Sequence, residues 1–285
     1  MVRRSAAGFR HDGRPIAGAN AVNSTSEHRH SLLTESWIFA SRLFIQWRRY
    51  PMVPLQALLF PTLLLIIYGA LVGKSMVRLT GSSGLNELIP VCMLAGAMAG
   101  AVGAGLMVPW DRDSGLLTRM WVMPVHRTAP LTGALLAEAL RTLVASAVVL
   151  AAGYLMGFRF AGGWTGMLVY LLIPVIVVVV FATVVITLAL RPQGRIILTW
   201  AQTVCVGLAF GTLAPPERVP ALVRPLAEFQ PLAAPAATMR ALASGGDVMR
   251  PMLLTALWVI VIAAVFVPLT VRGYRAAVEG GKIDS

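Results

Sequence analysis

The sequence predicts an all-α, polytopic membrane protein with six transmembrane helices, and three observations carry that reading. Mean hydropathy is +0.76. Hydrophobic residues make up 57% of the chain and charged residues 13%, about half the charged share of a soluble domain. Six mostly apolar stretches lie at 52–73, 88–109, 136–157, 167–190, 196–213 and 252–271. Each is near the roughly 20 residues that a helix needs to cross a hydrocarbon core. Apart from Glu138 and Arg141, near the start of the third, they hold no Asp, Glu, Lys, Arg or His.

The 285 residues suit one membrane bundle over 31–275, flanked by an N-terminal tail at 1–30 and a cytosolic C-terminal tail at 276–285. The first tail, rich in Arg, Ser, Ala and Gly, reads as disordered and cytosolic. Arg3-Arg4 is not followed by the apolar core of an export signal before Leu32.

Residues 31–50 read as an interfacial amphipathic helix. Leu33, Trp37, Ala40, Phe44 and Trp47 recur every three or four positions, with Glu35, Arg42 and Arg49 opposite. Tyr50-Pro51 ends it, because a residue before proline avoids helical angles. The second span carries Gly96, Gly100 and Ala104, a small-residue face that lets another helix approach. In the third, Glu138 and Arg141 stand one turn apart near the cytosolic edge and read as a structural ion pair. In the fifth, Thr199, Gln202 and Thr203 share one side. Such a stripe either lines a water-filled path or bonds to a neighbouring helix.

The loop at 214–250 holds Pro215, Pro216, Pro220, Pro225, Pro231 and Pro235. Connections of that length usually have form or function of their own. Its pieces 219–229 and 233–244 read as short re-entrant helices, broken at Gln230-Pro231 and dipping into the outer leaflet.

Basic residues set the orientation. With the N-terminus inside, the cytosolic segments hold Arg48, Arg49, Arg112, Arg119, Arg127, Arg191, Arg195, Arg272 and Arg275. The short outer loops hold Lys74, Arg78 and Arg159; the longer fifth loop holds Arg218, Arg224, Arg240 and Arg250, but long segments weigh little in this rule. Both termini are then cytosolic. Only Lys74 and Lys282 are lysines among 24 basic residues, and the arginines flank spans as headgroup anchors do. Nucleic acid is therefore not an expected partner; membrane lipid is. Cys92 and Cys205 fall within spans, and the four histidines stand apart, so neither a disulfide framework nor a metal site is expected.

Between spans two and three runs Trp110-Asp111-Arg112-Asp113-Ser114-Gly115-Leu116-Leu117-Thr118-Arg119-Met120-Trp121-Val122-Met123-Pro124. Asp111 and Asp113 suit the positive end of a short helix, and Pro124 marks its stop. Leu116, Leu117, Met120 and Trp121 form an apolar knob. It is either a docking site or the underside of a helix lying on lipid.

This loop resembles the cytosolic coupling segment of type-2 ABC exporter permeases, and above all the daunorubicin/doxorubicin-resistance permeases. The likeness extends to the helix before span one, to Gly157-Phe158-Arg159-Phe160, and to the proline-rich loop with Gln230-Pro231 and Met239-Arg240-Ala241. It covers about 33–274. The family usually opens the segment with Glu; here Asp111 keeps the charge on a shorter arm. The resemblance implies a non-catalytic permease in a bacterial plasma membrane, exporting hydrophobic or amphipathic drug-like molecules or complex lipids. It implies a second permease, identical or a sister chain, and separate ATPase subunits. Those would dock on the 111–124 loop through Asp111, Arg112, Gly115, Leu116, Leu117, Met120 and Trp121. Thr199, Gln202, Thr203, Gly96 and Gly100 are the candidate path or packing face. No G-x-x-x-x-G-K-[ST] phosphate loop occurs in the chain. No cofactor is expected on it, ATP and Mg belonging to the partner ATPase.

Two other classes compete. An ion-gradient transporter needs ionisable groups near the bilayer midplane, which the span centres lack. A membrane enzyme acting on lipid needs an interfacial cluster of acids and histidines. Asp111 and Asp113 have no neighbouring His.

Overall fold

The structure is a computed structural model that describes residues 32–49, 51–80, 84–113, 129–191, 194–212 and 230–280. Among these residues there are eight helices and no strand: α1 (Leu32–Arg49), α2 (Met52–Thr80), α3 (Gly84–Asp113), α4 (Ala129–Leu155), α5 (Gly163–Ala189), α6 (Gly194–Gly211), α7 (Ala233–Ser244) and α8 (Met249–Gly280). Each of the six apolar stretches is helical over most of its length. Among the described residues four helical segments are long and apolar enough to cross a bilayer: Gly84–Gly103, Ala129–Leu155, Gly163–Ala189 and Met249–Tyr274.

The helix α3 is the axis of the bundle. Most residues of its most apolar stretch are buried, against few in that of α8, and it packs against α2, α4, α5, α6 and α7. The sequence explains why it can sit there. Ala97, Ala101 and Val102 meet Val178, Ala182, Val185 and Leu198 in a small-residue core. In lipid, helices gain little from hiding apolar surface from one another, so close packing of small side chains has to hold them. A bulkier cluster, including Leu88, Ile89, Met93, Tyr170, Leu232 and Met239, fills the end of the bundle that carries α7.

Hydroxyl pairs stitch the outer helices on. Ser36 Oγ and Thr132 Oγ1 lie 2.6 Å apart between α1 and α4. Thr187 and Thr270 hydroxyls lie 2.7 Å apart between α5 and α8, where Thr270 also donates to the Thr183 carbonyl. Thr238 and Thr255 do the same for α7 and α8 at 2.8 Å. Such interhelical hydroxyl bonds add modestly to the packing of each helix pair.

Several boundaries differ from expectation. The helix α4 begins at Ala129, not near 136, because Pro130 falls in its first turn, where a missing N–H breaks no bond. Glu138 and Arg141 therefore stand in the third turn and beyond, away from the start of the helix. The helix α3 continues past 109 to Asp113, and α8 continues past 271 to Gly280, so the first residues of the expected C-terminal tail are helical. A helix need not stop where its apolar stretch stops. The short helix at 233–244 forms where expected, closed by Gly245 at φ +69°; its companion at 219–229 lies outside the described residues, as does the tail at 1–30.

Candidate functional site

Consider first the residues of the expected coupling segment. Asp111, Arg112 and Asp113 form the last turn of α3. Gly115, Leu116, Leu117, Met120 and Trp121 lie outside the described residues.

The small-residue face of α3 is divided among three neighbours. A Cβ on Gly96 would stand 3.1 Å from Cγ of Pro61 in α2. Gly100 is pressed by the ends of Glu138 and Arg141 from α4, and Gly105 by Val185 of α5. The bareness of Gly100 makes room for an ion pair: Arg141 Nε donates to Glu138 Oε2 at 3.1 Å and to Oε1 at 3.2 Å, and Nη2 donates to Oε1. The side chains are 12% and 7% exposed, so each charge is desolvated and depends on the other.

The polar stripe lies on α6, which turns Leu198 and Ala209 inward. Thr203 is exposed, on the same uncovered surface as Ile196, Trp200 and Val204. The side chains of Thr199 and Gln202 lie outside the described residues.

A polar cluster that sequence reasoning missed lies beneath α7. Arg240 Nε is 2.5 Å from Glu87 Oε2 of α3, a charge contact without hydrogen-bond alignment. Its Nη2 donates to the Thr212 carbonyl at the end of α6. Burial pushes the Arg240 guanidinium below its ordinary value, while Glu87 and then Tyr170 oppose that shift. Gln230 is buried beside Gly211. Tyr170 is fully buried, its ring edge-on to Phe160 with centroids 5.4 Å apart. The loop that delivers Phe160 leaves α4 at Gly157, whose φ of +96° favours glycine. One signal pointed to this cluster: Glu87, a carboxylate at the very edge of an apolar span, needs a partner.

The family model that matches is the ABC-2 type transporter, over residues 34–243. The chain belongs to the ABC-2 transporter family. This ABC-2 permease is 32% identical to the probable doxorubicin resistance ABC transporter permease protein DrrC of Mycobacterium tuberculosis, over 86% of its own length and 90% of the relative's. It is 27% identical to the daunorubicin resistance ABC transporter permease protein DrrB1 of Streptomyces coeruleorubidus, over 92% and 90% of the two chains. The putative transport permease ycf38 of Cyanophora paradoxa is 30% identical over 39% of each chain. No solved structure matches. The ABC-2 permease is a multi-pass membrane subunit of an ABC exporter, a complex in which an ABC ATPase is the partner.

Proposed function

We propose that this permease exports amphipathic drug-like molecules or complex lipids across a bacterial plasma membrane, with both termini cytosolic. The observation that carries this reading is the near full-length likeness to doxorubicin- and daunorubicin-resistance permeases. The basic segments flanking the spans support the orientation. Two permeases, identical or sisters, form the path, with lipid around them, and the six apolar helices of each chain all cross.

The chain itself catalyses nothing and holds no cofactor; ATP and Mg bind the partner ATPases. These dock on the 111–124 segment, where Leu116, Leu117, Met120 and Trp121 are the apolar knob and Asp111, Arg112 and Gly115 lead into it. Nucleotide binding closes the ATPase pair, which favours one packing of the permeases over the other. The conformational change goes as far as that difference in binding energy allows. Thr199, Gln202 and Thr203, which share one side of α6 by their spacing, line the path.

The test is flux in inside-out vesicles holding the permease and its ATPase, with doxorubicin as probe. Uptake that needs ATP and the ATPase is expected. Uptake by the permease by itself, driven by a proton or sodium gradient, would overturn the reading.

A further inference from the structure

We propose that Arg240 is the bolt of a charge latch: it fastens α7 to α3 and α6, and the exporter's outer end opens when it lets go. The inference rests on the outward orientation of the α7 end proposed above.

The attachments of α7 are of two kinds, and they are sorted by side. Towards α8 and the segment before α5 they are neutral: the Thr238–Thr255 hydroxyl pair and the bond from Ala161 N–H to the Ala243 carbonyl, 3.0 Å. Towards α3 and α6 the polar attachment among the described residues is one guanidinium, which meets the Glu87 carboxylate and the Thr212 carbonyl together. Releasing one side chain therefore removes the polar hold on two helices, leaving α7 to its apolar packing on the core and its neutral tethers to the others.

Water is close enough to make that release reversible. The side chains of Arg240 and Glu87 are 24% and 20% exposed, so solvent can take over both charges as they part. Around them the present packing leaves polar groups unanswered. Among the described residues the buried Tyr170 hydroxyl and the Gln230 amide nitrogen have no hydrogen-bond partner, and Tyr170 lies within electrostatic reach of Arg240. Buried polar groups are ordinarily paired. A second arrangement of α7, with the guanidinium moved or water admitted, gives these groups the partners that the first denies them.

The experiment uses the complex with its ATPase in proteoliposomes, with Cys92 and Cys205 replaced by alanine. Ala236→Cys reports on α7, where the native side chain is fully buried, and Ala97→Cys reports on the middle of α3, where it is 1% exposed. A membrane-impermeant maleimide is added without nucleotide. Glu87→Gln and Arg240→Gln should each speed labelling at Ala236→Cys by about fivefold or more, the effect of losing one modest interaction. Labelling at Ala97→Cys should not change. Unchanged labelling at Ala236→Cys in both variants overturns the latch, and so does equal acceleration at Ala97→Cys, which means general loosening. Doxorubicin flux in the same vesicles reads the export function separately: an unaltered protein that shows no ATP-driven flux sinks that reading while leaving the labelling contrast intact.

Discussion

Gly133 of α4 lies directly against the backbone of Ser36 in α1: a Cβ there would stand 2.9 Å from the Ser36 carbonyl oxygen and 2.5 Å from Phe39 Cβ. This contact, with the Ser36–Thr132 hydroxyl pair beside it, seats the amphipathic helix on the bundle. Backbone cannot step aside as a flexible side chain can. Gly133→Ala should therefore loosen α1 at a cost of about 1–3 kcal/mol, against a helix-propensity gain of at most about 1 kcal/mol. Faster tryptic cleavage at the exposed Arg42, with a lower melting temperature in detergent, is the expected result. Gly103, whose Cβ would meet nothing, is the control: its alanine variant should melt no lower than the parent.

Glu138 and Arg141 should behave as a unit. Glu138→Ala leaves a guanidinium uncompensated inside a crossing helix and should cost about 3–5 kcal/mol. Glu138→Leu combined with Arg141→Met removes both charges and should come close to parental stability. Thermal unfolding of the three proteins measures this. The double variant should also keep ATP-driven flux, since a structural pair has no proton to carry; loss of flux in a stable double variant would mark the pair as part of the transport chemistry.

Leu116→Asp or Met120→Asp puts a charge into the proposed docking knob. Either variant should insert normally yet fail to retain the ATPase on co-purification, and ATP-driven flux should fall about tenfold or more. Normal co-purification together with normal flux would move the docking contact elsewhere.

Gln202→Leu should change which cargo is carried more than how well the protein folds. A single polar contact in a path discriminates between cargoes by about 1–2 kcal/mol. Flux ratios for a set of amphiphiles of different polarity are the measurement; ratios equal to the parent's would make the stripe a helix-packing feature.

Much of the architecture was legible because it is local. Apolar length marks a crossing helix, and the pattern of Leu33, Trp37, Ala40, Phe44 and Trp47 marks α1. Pro231 and Gly245 bracket α7. Boundaries were less legible, because a helix extends as long as its backbone bonds are made. Hence α4 starts at Ala129 and α8 ends at Gly280, each beyond its apolar stretch. The role of Gly100 was half visible: its smallness was plain, but the pair that fills the space comes from another helix.

From its residues in order, this protein is an all-helical membrane chain with an amphipathic entry helix and an ABC-2 permease pattern, since hydropathy and short spacings act within one turn or one span. Only folding decided that α3 lies at the centre, that Gly100 admits Glu138 and Arg141, and that Arg240 meets Glu87 and Thr212. Those partners are far apart along the chain, and their contacts depend on how helices cross, which no local pattern encodes.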